Sequence, residues 1–229
     1  MIKYHNDIEQ GSDEWLALRC GVLTASEIKH IMTPKTLKLS GGKDGGKECA
    51  HLYKILAQRI GGFLDHSYVG DDMLRGKEDE ILARFLYEEK YGAVDDMGFI
   101  TNDEFGFTIG YSPDGLVNID GLIECKSRAP HLQMQAILDN AVPAEHILQC
   151  QTGLMVTKRE WLDYLSYSAG YPMMRVRVYP DKELQESILN VCGEFEERLA
   201  KVMDDYLDVI DDKENFTPTT RKIEEEMII

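Results

Sequence analysis

Apolar side chains recur three or four positions apart in two stretches of the first hundred residues, 52–60 and 74–86. This spacing places them on one side of an α-helix, and each stretch ends near glycine, at Gly61-Gly62 and at Gly92. The pattern predicts two amphipathic helices. The apolar positions are Leu52, Ile55, Leu56, Ile60, Leu74, Ile81, Leu82, Phe85 and Leu86.

After residue 98 the pattern changes to short apolar and aromatic runs that are interrupted by Asp and Gly. Such runs are typical of strands joined by tight turns, and alternation of period two marks a further strand pair later in the chain. The predicted strands cover 98–101, 106–111, 115–117, 121–126, 161–168 and 173–179. The predicted helices in this half cover 130–139, 143–156 and 181–212.

The segment before the first amphipathic helix contains one helix start and one loop. Thr24 and Glu27 have the spacing of a capping box, so we expect a helix to begin there and continue through Ile31. Residues 33–47 are rich in Gly and Lys and predict a long basic loop. The whole chain, 1–229, is predicted to form a single α/β (α+β) domain with a central mixed β-sheet flanked by helices.

Composition excludes several classes of protein. The 229 residues are 43% hydrophobic, which is typical of a folded chain rather than a disordered one. No apolar run approaches the roughly 20 residues that span a bilayer, and the N-terminus lacks a signal-peptide core, so we expect a soluble cytoplasmic protein with no membrane partner. Five cysteines without a CxxC pair argue against both a disulfide framework and a zinc site.

The net charge of −16 argues at first against a nucleic-acid partner, because phosphates are bound by Lys and Arg. The charge is unevenly distributed, however. Residues 70–130 carry a net −8 and residues 181–229 a net −9. Clustered negative charge is typical of a metal site or of a solvated helix. The net charge alone therefore does not decide the partner, and we expect the acidic C-terminal helix and tail, 181–229, to cover an outer surface.

The segment 112–126, SPDGLVNIDGLIECK, carries the clearest candidate chemistry. Asp114 follows Pro113 in a turn, and the alternation of a strand puts Glu124 and Lys126 on one face while Cys125 points into the core. Buried carboxylates are costly unless a partner binds them. Asp114 and Glu124, with the Cys125 carbonyl as a third oxygen, would suit Mg²⁺.

Such a metal site predicts phosphodiester hydrolysis. The metal would activate water as the nucleophile, and Lys126 would orient that water or stabilise the charge on the pentavalent phosphorus. The same residues also have a purely structural interpretation. Pro-Asp-Gly is a common turn, and a Glu-x-Lys pair on an exposed strand is usually a solvated ion pair.

Three further groups of residues fit the same chemistry. Glu80 could add a carboxylate near the metal, although it lies in a charge run that is typical of a helix surface. Gln149 could hold the attacking water or a phosphate, or it could bind a buried carbonyl. Arg19, Thr24 and Ser26 surround a predicted helix N-terminus, which favours an anion, although Thr24 could serve only as a cap.

The motifs EQGSDEWLALRCGVLTASEI (9–28), RGKEDE (75–80), SPDGL (112–116), ECK (124–126) and QCQ (149–151) resemble, in order and spacing, those of the lambda exonuclease and YqaJ-type viral recombinase family. The resemblance covers roughly residues 8–165. It implies a PD-(D/E)xK, restriction-endonuclease-like fold and a Mg²⁺-dependent enzyme that degrades double-stranded DNA from its 5′ ends. Mononucleotides and 3′ overhangs would be the products, and a single-strand annealing protein would be the partner in phage-type recombination.

The resemblance also implies roles for individual residues. Asp114 and Glu124, with the Cys125 carbonyl, match the ligands of Mg²⁺, with two ions per site and Mn²⁺ as an alternative, and Lys126 matches the catalytic lysine. Glu80 and Gln149 match positions that assist the metals and water. The matches to the 5′-phosphate pocket are Arg19, Thr24, Ser26 and Ser112. Trp15 is interpreted as packing, and one further acidic position falls on Asp103 or Glu104.

The same resemblance implies a homotrimeric ring around DNA and a phage- or prophage-encoded protein of a bacterial cell. A ring would reconcile DNA binding with the acidic charge, because only the inner surface acts on the duplex. Lysines that could supply that surface are Lys29, Lys35, Lys38, Lys43 and Lys47. Two alternatives remain open: a Cas4-like or restriction-like nuclease of different polarity, and an acidic interaction protein without catalysis.

Overall fold

The computed structural model describes residues 1–41, 48–64, 71–211 and 214–221, with side chains from 74 onward in the segment that begins at 71. The described strands are β1 (Ile2–His5), β2 (Leu23–Thr24), β3 (Phe99–Asn102), β4 (Ile109–Tyr111), β5 (Gly115–Val117), β6 (Gly121–Ser127), β7 (Trp161–Tyr167) and β8 (Met174–Val178). The described α-helices are α1 (Asp13–Arg19), α2 (Ala50–Gly61), α3 (Asp71–Tyr91), α4 (Pro130–Asp139), α5 (Ala144–Thr157) and α6 (Lys182–Ile210).

The strands form two four-stranded mixed sheets. The first has the order β1-β3-β4-β2, with β2 parallel to β4 and the other pairs antiparallel. The second has the order β5-β6-β7-β8, in which the central pair, β6 and β7, is parallel. Mixed sheets flanked by helices confirm the predicted α/β class, but the strands divide between two sheets rather than forming one.

Most predicted elements are confirmed within a few residues. Three elements near the N-terminus, β1, α1 and β2, were not predicted, because a helix of seven residues and strands of two to four residues leave little periodic signal. The helix expected at Thr24 is a short 3₁₀ helix, Ala25–His30, with the capping box in place. The Thr24 N–H donates to Glu27 Oε2 at 3.3 Å. Of the predicted basic loop, 33–47, residues 42–47 lie outside the described residues.

Two hydrophobic clusters lie against the second sheet. The larger also reaches the first sheet and includes Leu122, Leu162 and Ile188 from β6, β7 and α6. The smaller contains Ile123 and Cys125 from the other face of β6, together with residues of α3. As predicted, the Cys125 side chain therefore points into a core, and all five cysteines are free thiols.

Helix α3 is confirmed, but the apolar residues whose spacing predicted it are exposed. Ile81 is 70% exposed and Phe85 is 56% exposed, whereas Ala83 on the other side of the helix is completely buried. The inner side combines Ala83 and Tyr87, which belong to the smaller hydrophobic cluster, with polar residues that meet the sheet. Asp79 accepts a hydrogen bond from the Ser127 hydroxyl. Helical spacing thus predicted the helix correctly but not which side faces the protein.

Among the helices in the described part of the chain, none has the length and apolar character needed to cross a membrane.

Candidate active site

The turn between β4 and β5 brings Asp114 beside β6. Because β5 and β6 pair antiparallel, with Gly115 opposite Ile123, one further step in this register places Asp114 opposite Glu124 and beside Cys125. The backbone N–H of Cys125 accordingly donates to Asp114 Oδ2. The turn itself is tied down by Gln10, whose side-chain amide donates to the Pro113 carbonyl at 2.8 Å.

Glu124 and Lys126 share one face of β6, as the alternation of the strand predicted. The Lys126 ammonium donates to Glu124 Oε1 at 2.6 Å. Burial acts to lower the pKa of Lys126, but attraction to Glu124 and Asp114 outweighs it, so the pKa of the lysine is raised. Lys126 is therefore a fixed positive charge against a carboxylate that is only 1% exposed.

Two further elements contribute side chains to Glu124. Helix α5 places the Gln149 amide so that Nε2 donates to Glu124 Oε1. The last residue of β4, Tyr111, donates its hydroxyl to Glu124 Oε2 at 2.7 Å. Tyr111 is buried, with 1% of its surface exposed. Both oxygens of Glu124 are thus held by donors from three elements.

Glu80 completes the acidic cluster from the inner side of α3. Its carboxyl is hydrogen-bonded to that of Asp114, and burial together with the negative charge of Glu124 raises the pKa of Glu80. The pKa of Asp114 is raised well above its usual range, first by burial and then by Glu124 and Glu80. The charge of Lys126 reduces both shifts without removing them.

This donor set fits a divalent cation in charge and in chemistry. Fully ionised, the three carboxylates carry two more negative charges than Lys126 offsets, and hard oxygen ligands suit Mg²⁺ or Mn²⁺. The pKa values of Asp114 and Glu80 are raised first by burial and then by the neighbouring carboxylates, and the charge of Lys126 does not fully offset these effects. Within the described residues, no group of three or more His, Cys, Asp or Glu side chains is already arranged so that it could hold a metal ion.

The residues of the predicted phosphate pocket also come together. Arg19 Nη2 donates to the Thr24 hydroxyl at 3.3 Å, and that hydroxyl lies 3.4 Å from the Ser26 hydroxyl. Burial lowers the pKa of Arg19, partly offset by Glu27. In the described part of the chain, the Thr24 hydroxyl accepts a hydrogen bond from Arg19, and no carboxylate forms a salt bridge with it.

Trp15 connects this pocket to the acidic cluster. The Arg19 guanidinium stacks over the Trp15 ring at 4.3 Å, and the indole N–H donates to the Ser112 hydroxyl at 2.9 Å. Ser112 lies two residues before Asp114. The interpretation of Trp15 as packing was therefore incomplete, since its indole also joins two predicted site residues.

Glu27 acts against an anion in the same pocket. The Thr24 hydroxyl donates to Glu27 Oε2 at 2.8 Å, so the capping function of Thr24 and its place beside Arg19 coexist. The negative charge is partly offset by Lys54, whose ammonium lies 3.3 Å from Glu27 Oε1. An anion at Arg19 would consequently be held by one guanidinium and by hydroxyl groups rather than by a basic cluster.

Two other groups of predicted residues do not join the cluster. Asp103 pairs with the N-terminal amine, and Glu104 pairs with Lys158. Lys158 lies just past the end of α5, about 13 Å along the helix axis from Gln149. Neither therefore adds a carboxylate to the site. The proposed inner-surface lysines are exposed at 29, 35 and 38, whereas Lys43 and Lys47 lie outside the described residues.

Tyr111 and the Arg128–His146 pair near Lys126 were not predicted from the sequence. Arg128 Nη1 lies 3.1 Å from His146 Nε2, and burial with the charge of Lys126 lowers the pKa of His146 to about 4. The only sequence signal for Tyr111 is its position just before Ser112, because an aromatic residue on a strand usually indicates core packing.

Comparisons with solved structures identify nucleases of similar fold. The chain is 26% identical to an alkaline exonuclease from Laribacter hongkongensis, with 86% of this chain and 100% of that chain covered and a TM-score of 0.69. The same enzyme in complex with dAMP gives a TM-score of 0.70 at the same identity and coverage. A phage-related exonuclease from Haemophilus somnus, 15% identical, covers 80% of this chain and 96% of its own with a TM-score of 0.53.

The relation at the level of sequence agrees with these structures. Comparison with curated proteins finds no match. The family model of the YqaJ-like viral recombinase domain matches residues 14–160, which include Arg19, the acidic cluster and Gln149. The structural neighbours support a nuclease with a PD-(D/E)xK-like fold. The chain belongs to the YqaJ-like viral recombinase domain family.

Proposed function

We propose that the chain is a Mg²⁺-dependent 5′→3′ exonuclease that acts on the ends of double-stranded DNA and releases mononucleotides. The observation that carries the proposal is the contact of two sites. An acidic cluster with an excess of negative charge adjoins an anion pocket, and the Trp15–Ser112 hydrogen bond joins them. A phosphodiester needs a cation at the scissile phosphate, and a terminal phosphate needs a cationic pocket nearby.

Each residue of the cluster has a role in this proposal. Asp114, Glu124 and the Cys125 carbonyl would hold the divalent cation, with Glu80 supporting a second ion. The bound metal would supply Lewis-acid activation of water and of the phosphate. Lys126 and Gln149 would orient the attacking water, and the permanent charge of Lys126 would stabilise the negative charge that develops on the phosphorus oxygens.

The polarity of digestion follows from the anion pocket. Arg19, Thr24, Ser26 and Ser112 would bind a 5′-phosphate, so the first phosphodiester of that strand would lie at the cluster. The guanidinium offers the fork geometry that suits a phosphate, and the hydroxyls add donors. A pocket for the strand terminus favours an exonuclease over a restriction-like enzyme, which has no terminus to recognise.

The structural relatives and the surface of the chain support further parts of the proposal. The Laribacter enzyme binds dAMP, which is the kind of mononucleotide such a reaction would release. We also propose a single domain that assembles as a homotrimeric ring in the cytoplasm and passes 3′ overhangs to an annealing protein. Exposed apolar residues of α3, such as Ile81 and Phe85, are a suitable surface for contact between copies.

A digestion with end-labelled linear duplexes tests the function. Substrates labelled at either the 5′ or the 3′ end, with and without a 5′-phosphate, are incubated with Mg²⁺ and with wild type or Lys126→Ala. We expect wild type to release mononucleotides from the phosphorylated 5′ end. Lys126→Ala should reduce the rate on the order of 10³-fold, since the lysine is worth several kcal/mol of transition-state stabilisation.

Lys158→Ala is the matched control, because it removes an exposed lysine from a salt bridge with Glu104 far from the cluster. Its rate should equal that of wild type. Degradation that begins at 3′ ends would instead favour a Cas4-like or restriction-like nuclease. Absence of any Mg²⁺-dependent cleavage in wild type would favour an interaction protein.

A further inference from the structure

The hydrogen bonds to Glu124 are distributed unequally between its two oxygens. Oε1 accepts from both Lys126 Nζ, at 2.6 Å, and Gln149 Nε2. Among the described residues, Oε2 accepts only from the Tyr111 hydroxyl, at 2.7 Å. A carboxylate oxygen has about two lone-pair positions. Oε1 is therefore saturated by protein donors, and Oε2 is the oxygen that retains capacity for a further partner.

Tyr111 is the donor that determines where this oxygen points. Lys126 and Gln149 both act on Oε1, so without the tyrosine hydroxyl the carboxylate would be anchored at one oxygen and free to turn about it. The Tyr111 hydroxyl adds the second point of attachment, from the opposite oxygen and from a different sheet. Its own strand, β4, leads directly into the turn that carries Asp114.

The ring of Tyr111 is held as tightly as its hydroxyl. Gly153 of α5 packs against the ring so closely that a β-carbon at this position would lie 2.7 Å from Tyr111 Cζ. Only glycine allows this approach. Gly153 follows Gln149 by about one helical turn, so α5 supplies both a donor to Glu124 and the surface that fixes the tyrosine.

We propose that Tyr111 is a positioning residue for metal binding: its hydroxyl orients Glu124 so that Oε2 is presented to the divalent cation that Glu124 would hold together with Asp114. This inference rests on the proposed function of the cluster. Tyr111 touches neither the substrate nor the reacting atoms in this proposal. It acts through Glu124, in the way that outer hydrogen-bond partners orient the ligands of other metal sites.

The experiment compares two tyrosine variants, each of which loses one hydrogen bond from its hydroxyl to a buried carboxylate. Tyr111→Phe removes a 2.7 Å bond to Glu124, and Tyr87→Phe removes a 2.7 Å bond to the buried Asp163, which lies outside the cluster. Isothermal titration calorimetry of the DNA-free protein with Mg²⁺, repeated with Mn²⁺, measures metal affinity. Melting temperature in EDTA measures the purely structural effect.

We expect Tyr111→Phe to weaken metal binding by about 10- to 100-fold, with a matching rise in the Mg²⁺ concentration that gives half-maximal nuclease activity. Activity should recover largely at saturating Mg²⁺. Tyr87→Phe should lower the melting temperature by a few degrees and leave metal affinity unchanged. Gly153→Ala, which displaces the ring while keeping the hydroxyl, should reproduce the loss of affinity.

The outcomes separate this inference from the proposed function. If wild type binds neither cation, the proposed metal site is wrong, and the role of Tyr111 is overturned with it. If wild type binds and Tyr111→Phe binds with equal affinity, the positioning role alone is overturned. Equal losses of affinity in Tyr111→Phe and Tyr87→Phe would also overturn it, because the effect would then reflect general stability.

Discussion

Two buried carboxylates on neighbouring strands, Glu124 and Asp163, accept the same hydrogen bond in opposite electrostatic surroundings. Each is at most 1% exposed, and each accepts from a tyrosine hydroxyl at 2.7 Å. Asp163 is also bound by Arg175 at 3.0 Å and by Arg177 at 2.8 Å. Glu124 has a single lysine and faces two further carboxylates.

The pKa directions report the consequence of this difference. Burial acts to raise the pKa of Asp163, but hydrogen bonds from Arg177, Tyr87 and Arg175 outweigh it, so the pKa is lowered. In the cluster around Glu124, burial and like charges act together and raise the pKa of Asp114. A buried carboxylate whose charge the protein balances is structural, whereas an excess of negative charge must be relieved by protonation or by an external cation.

The largest expected effect comes from exchanging each carboxylate for its amide. Glu124→Gln should reduce Mg²⁺-dependent cleavage on the order of 10³-fold, because a metal contributes several kcal/mol to the transition state, and should leave metal-free stability equal or higher. Asp163→Asn should lower the free energy of unfolding by about 2–3 kcal/mol, because it leaves two arginines unpaired, and should preserve cleavage. Cleavage rates measured below the melting temperature test the effects on catalysis. Urea denaturation in EDTA measures the free energy of unfolding of each variant. Loss of cleavage in Asp163→Asn together with loss of stability in Glu124→Gln would contradict the contrast between the two carboxylates.

A smaller effect is expected from replacing an arginine of the anion pocket, Arg19, or an arginine paired with a buried carboxylate, Arg177. Arg19→Ala should lower the preference for 5′-phosphorylated ends by about 10- to 100-fold, because a charge-assisted contact to phosphate is lost. Arg177→Ala is the matched control: it loses a carboxylate partner that is already part of the fold, so it should reduce stability by about 1 kcal/mol and keep the preference. The measurement is kcat/KM on duplexes with and without the 5′-phosphate. Equal rates on both ends in wild type would contradict the pocket.

The smallest expected effect is a dependence of stability on pH with opposite signs for the two carboxylate groups. Asp163 has a lowered pKa, so its contribution is present above the usual carboxyl range and is lost as pH falls through the lowered value. Asp114 and Glu80 have raised pKa values, so their contribution is present at acid pH and is lost as pH rises through those values.

Melting temperatures in EDTA and in Mg²⁺ across about pH 2 to 9 test these signs, because this range extends both below and well above the usual carboxyl pKa of about 4. Stabilisation by Mg²⁺ should grow as pH rises, since the cation binds the ionised carboxylates. Asp114→Asn should remove most of this growth, and Asp163→Asn should not. A Mg²⁺ effect that is constant over the range would contradict the raised pKa values.

Patterns along the chain were sufficient for most of the fold. Helical spacing predicted α2, α3, α5 and α6, short apolar runs predicted β6, and alternation predicted β7 and β8, because these signals come from local geometry. The short elements β1 and β2 gave no signal, since their pairing with β3 and β4 depends on residues about a hundred positions away. The packing of α3 was also beyond local reasoning, because its polar side meets Ser127 and Asp163 of the sheet.

The sequence by itself determined which chemical groups could form a site: the spacing of SPDGL and ECK, and the alternation that separates Glu124 and Lys126 from Cys125. Only the tertiary structure decided which hydrogen bonds and opposite charges those groups receive. Tyr111, Trp15 and Gln149 come from other elements, and the charge balance that distinguishes Glu124 from Asp163 exists only once the strands have paired. Alternation is a property of a single strand, whereas the desolvation and pairing of a charge depend on every element that packs around it.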